Sequence, residues 1–156
     1  MKAHPAYWLI ALATILSIAA GGCNSSDDQL PEVVVDRSEC AKCRMLISDS
    51  RFAALIKTNE YLMFDDIGCL LKYEREVSPQ ALHGMWVRDY FKNTWIPENE
   101  AIFYRIDNIS TPMEYGYVAA TRSNSEPAIA SNAAARFDND KALHEDFEKR
   151  FVSEVK

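Results

Sequence analysis

The sequence predicts an α+β fold made of two small ββαβ-like units in tandem. Three observations carry this. Two strand-like runs, residues 51–57 (RFAALIK) and 60–64 (EYLMF), are separated only by Thr58 and Asn59. A helix-spaced run and a third strand-like run follow them. The same order of elements then starts again near residue 101. Strands and helices alternating in this way, with short turns, mark a mixed architecture.

The first two runs are apolar with β-branched or aromatic members, and the polar pair between them makes a tight turn, so they form a hairpin. Asp65, Asp66 and Gly68 break the second strand. From there Ile67, Leu70, Leu71 and Glu74 recur at helical spacing, and Asp65 or Asp66 stands where an N-cap is wanted. Cys69 falls in the first turns of that helix, which Ser78 and Pro79 end. Residues 85–90 (MWVRDY) give the next strand. In the second pass, residues 101–106 (AIFYRI) and 115–121 (YGYVAAT) read as strands, with Thr111, Pro112 and Met113 in the loop between them. Residues 122–132 are small and polar and would hold a helix. After Ala120 no alternating run led by glycine is visible, so the last strand of the second unit is not predicted. Asp138 or Asp140 caps a C-terminal helix reaching about Val152, with Leu143, Phe147 and Phe151 four apart on one face.

The chain opens MKAHPAYWLIALATILSIAAGGC. Lys2 supplies a positive start, and residues 8–20 are apolar and uncharged. That run is shorter than the roughly 20 residues that span a bilayer and suits a signal segment. Ala19, Ala20, Gly21 and Gly22 lead into Cys23. Small residues ending in cysteine resemble a lipoprotein cleavage site, although Ala20 stands where leucine is usual. The reading is a signal peptide over 1–22, a lipid on Cys23, a polar tether over 23–32 (ending NSSDDQLPE) and a domain over 33–156. The chain is thereby placed on the extracytoplasmic face of a bacterial membrane.

The signal segment holds one of the 17 basic residues and none of the 23 acidic ones. The remainder carries 16 basic against 23 acidic residues, a formal charge of −7. An acidic chain with no Lys/Arg cluster argues against nucleic acid as a partner. Of four cysteines, Cys23 goes to lipid, which leaves Cys40, Cys43 and Cys69. An odd number in an exported protein leaves at least one thiol outside any internal disulfide.

The stretch ECAKCRM, residues 39–45, poses the chemical question. Four readings are open. A structural disulfide is allowed outside the cytoplasm. A thioredoxin-type pair wants the CxxC at a helix N-terminus, whereas here a strand begins about six residues on and only the short Val33–Val35 run precedes. Structural zinc wants four Cys/His ligands in paired half-sites, and His83 and His144 are scattered. The fourth reading, Cu(I), is favoured: thiolate and thioether are soft donors that select Cu(I), and two or three suffice for a transfer site. Lys42 and Arg44 would favour thiolate. A chain extended after Cys43 would put Met45 on the same side. Met63 belongs in a strand core, while Met113, after Pro112 in a loop, is less easily explained by packing.

CAKCRM, RFAALI, FDDIGCLLKY, VRDYFKNTWI and TPMEYGYVA, in that order over residues 38–121, resemble the nitrous oxide reductase accessory lipoproteins, the NosL family. The resemblance implies an extracytoplasmic, membrane-anchored Cu(I) carrier that is not an enzyme. It implies a fold similar to that of the organomercurial lyase. It also implies partners: nitrous oxide reductase, whose copper–sulfur centre would receive the metal, and its ABC-type maturation complex. The family's Cys-x-Met falls on Cys43 and Met45, and its later loop methionine on Met113. Cys40 and Cys69 match one branch of the family and would complete or assist the site.

Two other classes compete with the copper carrier. One is a thiol–disulfide oxidoreductase lipoprotein using Cys40 and Cys43. The other is an adaptor lipoprotein that docks a membrane complex without metal. Asp65 and Asp66 read more simply as helix caps than as hard-cation ligands. Asp89 and Tyr90 are a partner patch or a strand end. Trp86, Tyr90, Phe91 and Trp95 read mainly as core, and His83 and His144 as exposed residues or a further copper donor.

Overall fold

A computed structural model describes residues 29–122 and 131–152. The signal segment, the Cys23 lipid site and most of the 23–32 tether lie outside them. So does most of the helix expected over 122–132, although Ser131 and Asn132 are helical. Residues from Pro31 onward form one compact unit.

The predicted hairpin is present. β1 (Ala54–Lys57) pairs antiparallel with β2 (Tyr61–Phe64), and Ile56 faces Leu62 in register. Thr58 closes the turn, donating its N–H to the Glu60 carbonyl at 2.9 Å. Arg51 and Phe52, expected as strand, belong instead to a 3₁₀ turn over Ser50–Phe52 capped by Asp49, whose side chain accepts the Arg51 N–H. α1 (Ile67–Glu74) follows, and Asp66 is its N-cap. β3 (Gly84–Arg88) returns to pair with β1. β4 (Trp95–Pro97) adds an outer strand that the sequence reading did not separate. The resulting order is β2-β1-β3-β4. β4 has three residues and ends in proline, which cannot donate to a ladder and belongs on an edge.

The second half contains β5 (Ala101–Arg105), β6 (Tyr117–Thr121), β7 (Ala135–Phe137) and α2 (Asp140–Phe151). These strands form an antiparallel sheet of order β6-β5-β7, with Phe103 opposite Phe137. The last strand, which the sequence did not predict, therefore exists. It was hidden because it has three residues, of which only Phe137 is buried. Asn139, rather than Asp138 or Asp140, caps α2 by accepting the Ala142 N–H at 2.9 Å.

Two features join the halves. Leu143 and Phe147 of α2 share one core with Ile67, Leu70 and Leu71 of α1 and with Phe64 and Val87 of the first sheet. Asp89, just past β3, is 1% exposed and accepts the Thr121 N–H at 2.8 Å and its hydroxyl at 2.5 Å. Its other oxygen accepts the Phe91 and Lys92 N–H groups. Asp89 is thus a buried bracket between the sheets and not a surface patch. Among the aromatics read as core, Trp86, Tyr90 and Trp95 are half-buried, while Phe91 is 43% exposed.

Candidate metal centre

The site forms where a doubled-back segment meets the start of α1. Residues 33–47 fold on themselves: Asp36 donates to the Ile47 carbonyl at 3.0 Å and Ile47 to that of Ser38 at 2.8 Å. Glu39 and Leu46 form an antiparallel bridge. Beyond it, Cys40 N–H donates to the Met45 carbonyl (2.8 Å) and Arg44 N–H to the Cys40 carbonyl (3.0 Å), closing a tight loop over 40–45. Arg44 takes the left-handed conformation, φ 67°, needed for that closure. Ala41 N–H donates to the Met63 carbonyl at 2.8 Å and fixes the loop to β2.

Cys40, Cys43 and Cys69 meet there, their sulfur atoms all within 4.8 Å of one another. Cys40 is fully buried, Cys69 is 1% exposed on the third residue of α1, and Cys43 is half-buried. All three are free thiols. Two come from one loop and the third from an element 26 positions along the chain, so only the packing of the loop against α1 assembles the set.

The three thiols are not equivalent. The Cys69 thiol donates to Cys40 and lowers its pKa to about 5. Burial opposes this, and the backbone N–H groups of Cys43, Asp65 and Lys42 reinforce it. The Cys43 N–H lies 3.5 Å from the Cys40 sulfur. Cys69 is pushed up by making that hydrogen bond and then by burial. Cys43 is pushed up chiefly by burial. The cluster thus favours negative charge on Cys40 over Cys43 and Cys69, and metal bound as thiolate releases protons.

Lys42 contributes through its backbone and not, as expected, through its charge. Its side chain turns to Glu76 at 2.5 Å, and that of Arg44 to Glu39 at 2.7 Å. The expectation that an extended chain carries Met45 to the same side as Cys43 is corrected too. Arg44 at φ 67° breaks the alternation, and Met45 stands 53% exposed. Two trans peptides still keep the Cα atoms of Cys43 and Met45 within about 7.6 Å. Met113 is half-buried against the core that contains Cys40 and Cys69. Its N–H donates to Asp66 Oδ2 at 3.4 Å, which ties its loop to the start of α1.

Both aspartates accept backbone N–H groups near the start of α1. Asp66 caps α1, and Asp65 Oδ1 accepts the Ser48 N–H at 3.3 Å. Burial first, and among further causes the Cys40 charge, raise the Asp65 carboxyl to about 6. His144 is not the exposed residue expected. Its Nε2 lies 3.0 Å from Glu74 and its Nδ1 2.8 Å from the Asp140 carbonyl, so both ring nitrogens are engaged.

No protein-family model and no curated protein sequence matches the chain. Among solved structures, the copper chaperone NosL from Shewanella denitrificans is similar at a TM-score of 0.44 and 16% identity, covering 78% of this chain and 86% of that chain.

Proposed function

We propose that the chain is a lipid-anchored, extracytoplasmic Cu(I) carrier. The observation that supports this most is the three-sulfur cluster, with its sulfurs within 4.8 Å of one another and graded from fully buried to half-buried. A set of soft donors short of a tetrahedron suits Cu(I), which tolerates low coordination. Structural zinc wants a fourth Cys or His. Cu(I) is cargo here, and no bond is made or broken in a substrate.

Burial orders the exchange. Cys40, the thiol most readily ionised, receives the ion, and Cys69 holds it from the core side. Cys43 is the accessible thiol, so an incoming or outgoing ligand competes there. Met45, exposed two residues after Cys43, is proposed as a further soft donor, and Met113, whose side chain packs against the core that contains Cys40 and Cys69, as another. The client, nitrous oxide reductase with its ABC-type maturation complex, rests on the sequence resemblance alone.

The lowered Cys40 pKa also favours a second reading, a thiol–disulfide oxidoreductase. The exposure pattern weighs against it. A reactive pair presents its acidic thiol to solvent, whereas here the acidic thiol is buried and the accessible one is raised.

The test is anaerobic Cu(I) titration of the reduced protein against a chromophoric chelator, for wild type, Cys43→Ser, Cys69→Ser and Met45→Ala. The proposal expects one Cu(I) per chain, lost or weakened at least tenfold in both cysteine variants. Weaker competition is expected for Met45→Ala. Failure to compete, or Zn(II) displacing Cu(I) at equal concentration, contradicts it. The reduction potential of Cys40 and Cys43 would then be the quantity to measure.

A further inference from the structure

Among the described residues, the large apolar side chains that stand exposed are Val34 (48%), Val35 (40%), Met45 (53%), Leu46 (51%) and Phe91 (43%). Exposed apolar residues scattered singly need no explanation. Here four of the five fall on one doubled-back segment, residues 33–47, held together by the Glu39–Leu46 bridge and the Asp36–Ile47 hydrogen bond. The ledge sits on a firm base. Val33, Ile47 and Ala53 are buried beneath it, with Trp95 against them.

The same base fixes the point where the chain arrives from Cys23. The Trp95 indole N–H donates to the Pro31 carbonyl at 2.9 Å, and Arg88, 4% exposed, pairs with Glu32 at 2.8 Å. Between Cys23 and Pro31 run eight peptide links, at most about 28 Å when fully extended. A domain of this size has a radius of gyration of about 14 Å. The tether is therefore no longer than the domain is wide, and the ledge adjoins its root.

We infer that this ledge rests in the lipid interface beside the anchor. The inference builds on the proposed lipid at Cys23. A bilayer takes up apolar side chains to a depth of about 5–10 Å. A short tether gives a local concentration on the order of millimolar, so a weak contact is held closed. The segment carries acidic Asp36 and Glu39 and basic Arg37, Lys42 and Arg44, with Lys42 paired to Glu76 and Arg44 to Glu39, so zwitterionic headgroups suffice. Met45 belongs to the ledge and Cys43 lies two residues before it. Docking thus sets the loop that carries the accessible thiol at the membrane surface, where a membrane-embedded copper donor or acceptor would meet it.

The test uses the full-length lipidated protein in phosphatidylcholine vesicles, with or without bromine on the acyl chains. Val35→Trp and, separately, Leu46→Trp report on the ledge, Phe91→Trp reports elsewhere, and wild-type emission is subtracted. The expected result is a blue shift and bromine quenching at least twofold greater at 35 or 46 than at 91, unchanged when protein per lipid is lowered tenfold. Anchored protein with equal quenching at all three positions overturns the inference. A blue shift that bromine does not quench and that fades on dilution also overturns it, in favour of a second copy on the ledge. Protein that fails to sediment with vesicles shows instead that the anchor itself is absent.

Discussion

Met113 is held to Asp66: its N–H donates to Asp66 Oδ2 over 3.4 Å, while Oδ1 of the same carboxylate caps α1 by accepting the Gly68 N–H at 2.6 Å. Burial pushes the Asp66 carboxyl up, against hydrogen bonds from Thr111, Gly68 and Met113 that favour its charge. Thr111 also accepts the Gly116 N–H at 3.2 Å. One side chain therefore registers a loop of the second half against the helix that carries Cys69. Asp66→Ala leaves these donors unmatched, and the expected loss is about 2 kcal/mol in chemical denaturation, with Asp66→Asn costing less.

Gly68 makes the matching contact on the other side. A Cβ there would fall inside the Tyr115 ring, which packs against Phe147 and Phe151. Alanine would gain about 1 kcal/mol of helix propensity in an isolated helix. Here the overlap prevails, and Gly68→Ala is expected to destabilise by about 2 kcal/mol. Combining it with Tyr115→Ala should recover part of the loss in a double-mutant cycle. Strictly additive losses would show that the ring and the helix are not coupled.

Asp89 carries the junction of the two sheets, with donors from Phe91, Lys92 and Thr121 on a buried carboxylate. Asp89→Ala is expected to cost about 3 kcal/mol, because several N–H groups lose a charged acceptor at once. Amide exchange should rise first around β6 and the residues after β3. Wild-type protection there would contradict the bracket.

His144 gives a pH dependence. Its hydrogen bond to Glu74, against the opposing effect of burial, raises its pKa from 6.5 to about 9. A base whose folded pKa is raised stabilises the fold fully below the unfolded value and loses that contribution as pH rises through the folded value. The stability difference between wild type and His144→Gln should therefore be greatest below pH 6.5 and vanish above about pH 9. A difference that is flat with pH would mean the pair does not form.

The first half of the fold was legible because its apolar runs are long enough to show a period. Residues 61–64 and the helix start at Ile67 follow from pattern and cap to within a residue, while the helix ends at Glu74, ahead of the Ser78–Pro79 stop the sequence offers. β4 and β7 were missed because three residues carry no period and tertiary pairing defines them. For the site, Cys40 and Cys43 announce themselves as a pair and Cys69 as the odd thiol, but only the fold puts all three sulfurs within 4.8 Å. The placement of Met45 was misjudged because a left-handed arginine is invisible in a string of letters. Asp89 is left open between a partner patch and a strand end because nothing local reveals that Thr121, far along the chain, supplies its donors.

The claim that Cys40, Cys43 and Cys69 form one soft-metal site is tested most directly by X-ray absorption at the copper edge of the one-to-one Cu(I) complex. The measurement is repeated for Cys69→Ser. The expected result is an edge characteristic of Cu(I) with an all-sulfur shell of at least three sulfurs in the wild type, reduced by one sulfur in the variant. A shell containing nitrogen or oxygen, or one that Cys69→Ser leaves unchanged, would contradict the three-thiol site.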